Sequence, residues 1–301
     1  MNDDTYLFGA EVNRIQDTLF AAGLQRQVVG GSRLLAMFTE EAADNIAPGF
    51  GARQVIVKAG GNFRIVFADE DRAVQFGERI AAAYHLLLDG VMTIPRPVPF
   101  VDKGDDNCAS DQQTCSGLLC FTCANEALEK EMRELKRKRQ FAITTPQAPT
   151  TAICQSSGTQ LAERYAGLES DDQYMSGPAF RMKEVGHIEK KGVPNPHLDD
   201  ENEGFLAKIR EAIPDSDYHD QRFAKRPEEL AEWDPTQSNI AYLVADGNNM
   251  GKYFRHCRTP AQRKALSEAL QKVVYEAIAA PISGLAEKLF GSYLGRGKTA
   301  Y

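Results

Sequence analysis

An α+β fold is predicted by three features of the chain. Each end carries an apolar strand candidate, a polar turn and a helical pattern in that order, and a glycine-rich turn joins two further strand candidates near residue 60. At the C-terminal end, Ile240 to Ala245 is an apolar run of strand length that delivers Asp246 to its end. Gly247, Asn248, Asn249, Met250, Gly251 and Lys252 follow, then a long helical pattern. A carboxylate at a strand mouth suits a hard cation. Glycines and a helix start beside it suit phosphate, because backbone N–H groups and the helix dipole face the anion. Asp-Gly and Asn-Asn are also ordinary turn chemistry, so Asp246 as a plain helix cap is an equally open reading.

The N-terminal copy is legible element by element. Tyr6 to Val12 is a strand, and Asn13 to Asp17 leads into apolar residues at Ile15, Leu19, Phe20 and Leu24. Val28-Val29-Gly30-Gly31-Ser32 reads as a break, with Ser32 capping a helix from Arg33 to Asn45. Gln54 to Lys58 is a strand, Ala59-Gly60-Gly61-Asn62 a tight turn and Phe63 to Phe67 the returning strand, because glycine tolerates the positive φ of hairpin turns. Arg72 to Leu88 repeats apolar residues at helical spacing through Val74, Phe76, Ile80, Ala83 and Leu87. Met92 to Val101, with three prolines, reads as an edge strand. The order is βαββαβ, the ferredoxin-like or palm arrangement. Two strand–turn–helix units at opposite ends suggest a duplicated module.

Four segments resemble the large, polymerase-like subunit of type III CRISPR effector complexes. Phe8-Gly9-Ala10-Glu11-Val12-Asn13-Arg14-Ile15-Gln16-Asp17 is similar to the opening of that family's first palm, and Val28 to Ser32 follows in the expected place. Ala59 to Phe63 is similar to the first palm's hairpin turn, and Val244 to Gly251 to the start of the second palm. The resemblance covers about half the chain in scattered blocks. It implies residues 1–102 as the first palm, 103–150 as a Cys-rich loop and charged helix, 151–237 as a helical or irregular insert, and 238–301 as the start of a second palm.

In that family the second palm makes cyclic oligoadenylates from ATP with two metal ions. The resemblance therefore implies that Asp246 is a ligand of Mg²⁺ or Mn²⁺. It likewise implies that Gly247, Asn248, Asn249, Gly251 and Lys252 meet nucleotide, with Gly60, Gly61 and Asn62 on the opposite wall of a cleft between palms. A plain hairpin turn is an equal reading of those last three. Two cations clamp the attacking and leaving oxygens of an in-line displacement, and one carboxylate rarely holds both. Family members carry the remaining carboxylates on a Gly-Gly-Asp-Asp hairpin, which this sequence lacks. After Gly251 comes one long helical pattern from about Thr259 to Phe290, with Pro281 marking a kink or break, and then a Gly-rich basic tail. The second palm is thus expected to be incomplete, with its other half on further sequence or on a partner chain. Enzyme activity of a nucleotidyltransferase type is left undecided.

The net charge of −7 argues against a surface devoted wholly to nucleic acid and leaves room for a local basic site. No apolar stretch is long enough to cross a membrane, and Met1-Asn2-Asp3-Asp4 lacks the pattern of a secretory signal, so a cytoplasmic protein is expected. Lys130 to Arg139 is the best local basic candidate for RNA. It ends a helical segment from about Ala124 with Leu128, Met132 and Leu135 as its apolar stripe, and a solvated helix balanced by its own glutamates is the competing reading.

Four of the six cysteines lie within Cys108-x6-Cys115-x4-Cys120-x2-Cys123, and intracellular thiols at that density suit structural Zn²⁺ or stay unbound. Cys154-x2-Ser157 stands where the family often carries a zinc knuckle, and serine at its second position implies that the knuckle is lost. His256 and Cys257 read as ordinary helix residues. Met182 to Ile188 and Phe205 to Ile213 read as helices of the insert, and Asp215, Asp217, His219 and Asp220 as solvated surface.

Three functions follow. The first is an ATP- and Mg²⁺-binding subunit of an RNA-guided antiviral complex, partnered by other subunits and by guide or target RNA. The second is a catalytically inactive scaffold of a ribonucleoprotein. The third is a nucleotidyl-cyclase-like enzyme, which the missing carboxylates disfavour.

Overall fold

The computed structural model describes residues 5–21, 25–101, 119–138, 151–158, 160–166, 173–186, 189–190, 193–194 and 250–294. The chain divides into two compact units, Met1–His187 with Tyr253–Ala265, and Ile188–Lys252 with Leu266–Tyr301.

The first unit is α+β, built on a mixed sheet. Its strands are β1 (Thr5–Val12), β2 (Ala52–Ala59), β3 (Asn62–Phe67), β4 (Met92–Thr93), β5 (Val98–Val101) and β6 (Leu119–Cys120). The order is β2-β3-β1-β5-β6, with β4 also pairing to β1. Every pair is antiparallel except β5–β6, which is parallel. The expected edge strand Met92–Val101 is split into β4 and β5, and β5, which holds Pro99, is not the edge: β6 covers it.

Side chains alternate across β1 and so build two cores. Phe8, Ala10 and Val12 face one layer, and Leu7 the other. The first layer holds α2 (Gln25–Glu41) and α4 (Glu70–Leu88), where Phe8 meets Phe76 edge-on at 5.2 Å and Phe67 at 5.7 Å. The second holds α5 (Phe121–Lys138), whose Phe121, Ala124 and Leu128 pack on Leu7, Val66 and Phe100. Helix α4 starts where Asp69 accepts the Arg72 N–H at 2.9 Å, a side-chain cap for an otherwise orphaned donor.

The expected break at Val28–Ser32 does not occur. Helix α2 runs straight through Gly30 and Gly31 and continues as a π-helical turn, Ala42–Ile46, and a short helix, α3 (Ala47–Gly49). The short helix α1 (Ile15–Phe20) precedes it. The two glycines serve packing. A Cβ on Gly30 would lie 1.9 Å from the Met182 carbonyl oxygen, on α6 (Gly177–Val185), and one on Gly186 would lie 1.9 Å from the Arg26 carbonyl oxygen. The backbones of α2 and α6 touch there, which only glycine permits. Helix α6 begins earlier than its apolar pattern suggests, because Ser176 accepts the Ala179 N–H at 3.4 Å and Pro178 suits the first turn.

Strands β7 (Arg164–Ala166) and β8 (Gln173–Met175) pair antiparallel. In the second unit, β9 (Glu189–Lys190) and β10 (Val193–Pro194) form a short antiparallel pair. Beyond them, α7 (Met250–Arg255) and α8 (Pro260–Leu294) are helical, and α8 continues through Pro281. His256 and Cys257 fall between these two helices rather than within one. No helix among the described residues is long and apolar enough to cross a membrane.

Candidate functional site

Gly60 and Gly61 form the two-residue turn joining β2 to β3, with φ of 54° and 77°. Positive φ at both central residues makes the turn of type I′, whose twist matches the strands it joins. Gly60 is exposed with open space where a Cβ would sit. Gly61 is committed to the fold. Its N–H donates to the Thr39 hydroxyl at 3.2 Å, and its carbonyl accepts the Val12 N–H at 3.1 Å. Asn62 is half-buried and pairs across the sheet with Glu11 on β1.

Glu11 thus stands at the strand mouth beside the hairpin. Ala10-Glu11-Val12-Asn13 and Ala245-Asp246-Gly247-Asn248 share the order Ala, acid, any residue, Asn. The Glu11 carboxylate is 2.6 Å from the Lys136 ammonium, on the last turn of α5. A lysine therefore neutralises it.

Around this pair the sheet face carries further charge. Arg64 on β3 is buried among apolar neighbours in Phe63-Arg64-Ile65-Val66-Phe67, and donates to the Phe63 carbonyl at 2.8 Å. Its pKa is pushed down to about 10. Burial does most of this and Arg263 adds to it, while Glu129 and Glu11 pull the other way. Glu129 on α5 accepts the Asn125 amide at 3.0 Å and Arg263 at 3.3 Å. The Arg263 guanidinium also lies over the Phe254 ring, 5.4 Å from its centroid. Three cations (Arg64, Arg263, Lys136) thus face two carboxylates (Glu11, Glu129), both already in ion pairs. The arrangement favours an anion over a divalent cation. Arg263 and Glu129 lie 134 residues apart, so no local pattern announces them. The one local signal is an arginine inside an apolar strand.

No family model and no curated protein matches this chain.

The predicted loop Asp246, Gly247, Asn248 and Asn249 lies outside the described residues, as do Cys108 and Cys115. Gly251 is in α7, and Lys252, also in α7, is exposed. Cys120 and Cys123 are buried not in a loop but at the end of β6 and in the first turn of α5, which begins at Phe121. The Cys123 N–H donates to the Cys120 sulfur at 3.4 Å. That turn ties the Cys120 sulfur to the start of α5, with Cys123 three residues on in the C-x2-C spacing that zinc-binding turns use. No group of three or more candidate metal ligands occurs among the described residues.

The Cys154 turn has the same geometry, with the Ser157 N–H on its sulfur at 3.5 Å. Burial acts to raise the Cys154 pKa, but hydrogen bonds from Ser157 and Ser176 outweigh it and the net direction is down. The turn is tied to α2, where Ser156 donates to Gln27 at 2.7 Å and Gln27 donates to the Ala179 carbonyl at 3.4 Å. Hydrogen bonds hold this turn where a knuckle would use metal. Burial raises the pKa of Cys257, against the influence of Arg263.

Proposed function

We propose that this chain is a palm-domain protein of an RNA-guided CRISPR antiviral complex that binds ATP and Mg²⁺ at the Asp246–Gly251 loop. The observation carrying this reading is the strand order β2-β3-β1-β5, antiparallel throughout, with helices α2 and α4 on one face. That is the order a ferredoxin-like palm requires. It supports the element-by-element reading from which the resemblance starts. Glu11 beside the Gly60-Gly61 turn supports the equivalence of the two modules, and so the role of Asp246 as the strand-mouth carboxylate of the second. The cation supplies charge neutralisation on phosphate. Gly247 and Gly251 let backbone approach the triphosphate, and Lys252 adds charge. Synthesis of cyclic oligoadenylate by this reading requires a Gly-Gly-Asp-Asp hairpin from elsewhere.

The test is calorimetric titration of ATP with and without Mg²⁺. Wild type binds only with Mg²⁺, and Asp246→Ala loses that Mg²⁺-dependent binding. Unchanged binding in the variant rejects the metal-ligand role. A second reading, an inactive scaffold, is favoured by one observation: the first module's own strand-mouth carboxylate is tied to Lys136. It predicts that partner binding survives Asp246→Ala intact.

A further inference from the structure

We propose that α5 and the segment Tyr253–Ala265 together form a docking surface for single-stranded nucleic acid. The nucleotide reading names RNA as a partner; the present inference locates that contact in the first unit alone and does not involve the Asp246 loop.

The chain is acidic overall, with a net charge of −7, yet residues 253–265 hold Arg255, His256, Arg258, Arg263 and Lys264 and no Asp or Glu. Arg263 is the buried member and the anchor. It reaches Glu129 of α5 at 3.3 Å and stacks on Phe254. Arg255, His256, Arg258 and Lys264 are exposed. At 3.6 residues per turn, Glu129, Arg133, Lys136 and Arg137 fall within an arc of about 100° on α5. C-terminal to Glu129 that arc carries only basic side chains, of which Lys136 is paired with Glu11; Glu126 shares the arc towards the start of the helix, and Glu131 and Glu134 lie outside it. The flank that receives Arg263 therefore continues as a basic strip. Arg133 and Arg137 are exposed, and among the described residues no carboxylate pairs with either. The anchor joins two basic segments that are far apart in sequence, and neither alone would exceed a solvated helix.

Charge complementarity calls for a polyanion, and two features select nucleic acid. Arginine forks match phosphate in bidentate geometry. Tyr253 opens the segment with its ring 62% exposed, a platform on which an unpaired base can stack and a duplex base cannot. An acidic peptide would use the arginines and leave the ring idle.

The experiment is fluorescence anisotropy of the full chain with labelled oligouridylate of about 20 nucleotides, repeated across salt concentrations. Wild type binds with an affinity that falls as salt rises. Arg133→Ala/Arg137→Ala weakens binding at least tenfold at about 0.1 M salt and flattens the salt slope by about 1.4, since each single-strand phosphate contact contributes about 0.7. Arg133→Lys/Arg137→Lys keeps the slope, which separates charge from folding. Tyr253→Ala weakens binding about tenfold and leaves the slope unchanged. Arg79→Ala, exposed on α4 on the other face of the sheet, changes nothing. The proposal is overturned by absence of binding in wild type, by an unaltered slope in the double alanine variant, or by equal affinity for duplex RNA or polyglutamate. Loss of ATP binding in Asp246→Ala with RNA binding intact would leave this surface standing.

Discussion

Adding one methyl group to Gly30 and one to Gly49 should move stability in opposite directions. Both glycines lie in helices, and in a free helix alanine is favoured over glycine by about 1 kcal/mol. At Gly49 nothing lies within 4 Å of the added Cβ and φ is not positive, so Gly49→Ala should gain about 0.5–1 kcal/mol. At Gly30 the Cβ would sit 1.9 Å from the Met182 carbonyl oxygen and 2.7 Å from the Gly186 nitrogen, where ordinary contact begins at 3.4 Å. Those two atoms form the closing hydrogen bond of α6, at 3.0 Å. Backbone must therefore withdraw by about 1.5 Å, the gap between 1.9 Å and 3.4 Å. Overpacking of a tight contact costs about 3 kcal/mol, which outweighs the propensity gain and leaves a net loss of about 2 kcal/mol. In urea, with a slope of about 2 kcal/mol per molar, the midpoint should fall by about 1 M for Gly30→Ala and rise slightly for Gly49→Ala. A Gly30→Ala protein as stable as wild type would refute the close crossing of α2 and α6.

The remaining predictions concern charge, pH and metal. Glu129→Ala leaves the Arg64 and Arg263 guanidinium groups facing each other, and should cost about 2–3 kcal/mol in denaturant unfolding. Combined with Arg263→Met in a double-mutant cycle, it should show coupling of at least about 1 kcal/mol, and zero coupling would show that the pair does not interact. Burial raises the pKa of Tyr84 to about 12, against a hydrogen bond with Thr18 that lowers it. Its neutral phenol therefore stabilises the fold fully below pH 10, and that contribution fades as pH rises toward 12 because the unfolded chain ionises first. The stability difference between wild type and Tyr84→Phe should shrink by up to about 2 kcal/mol across that window, and parallel curves would contradict it. Metal analysis should find about one Zn²⁺ per chain, lost in Cys120→Ser and kept in Cys154→Ser; equal content in both variants would exclude the Cys120–Cys123 turn as a ligand pair.

What sequence reveals here depends on how local each determinant is. The Gly60-Gly61 hairpin is legible because two consecutive glycines between apolar strands answer a backbone demand met within four residues, and both φ values are positive. Helix α4 is legible because Phe76 and Ile80 repeat at helical spacing into the core, although its start lies two residues before Arg72, where Asp69 caps it. Gly30 and Gly31 mislead for the opposite reason. Their role is set by Met182 and Gly186, about 150 residues away in sequence, and the same pair of letters that breaks a chain locally can permit two helices to touch. Strand β6 has only two residues, too few for any periodicity to register, yet it converts an expected edge into an interior strand.

The charged face of the first unit shows the same division and explains where function is readable. Asp246 is read as a strand-end carboxylate because an apolar run and a Gly/Asn turn flank it directly in sequence, whereas Glu11 emerges only from the pairing of β1 with the hairpin. Their environments are not visible, since Glu11 meets a lysine from a helix over a hundred residues later. Burial and Arg263 disfavour the charge on Arg64, and Glu129 and Glu11 offset them in part; Arg263 is held there by its own ion pair with Glu129 on α5. Holding a segment rich in arginine and lysine against a helix that already ends in Lys136-Arg137-Lys138 raises local positive potential on a chain whose net charge is negative. Burying one arginine as an anchor against Glu129 and Phe254 keeps the exposed ones gathered beside α5.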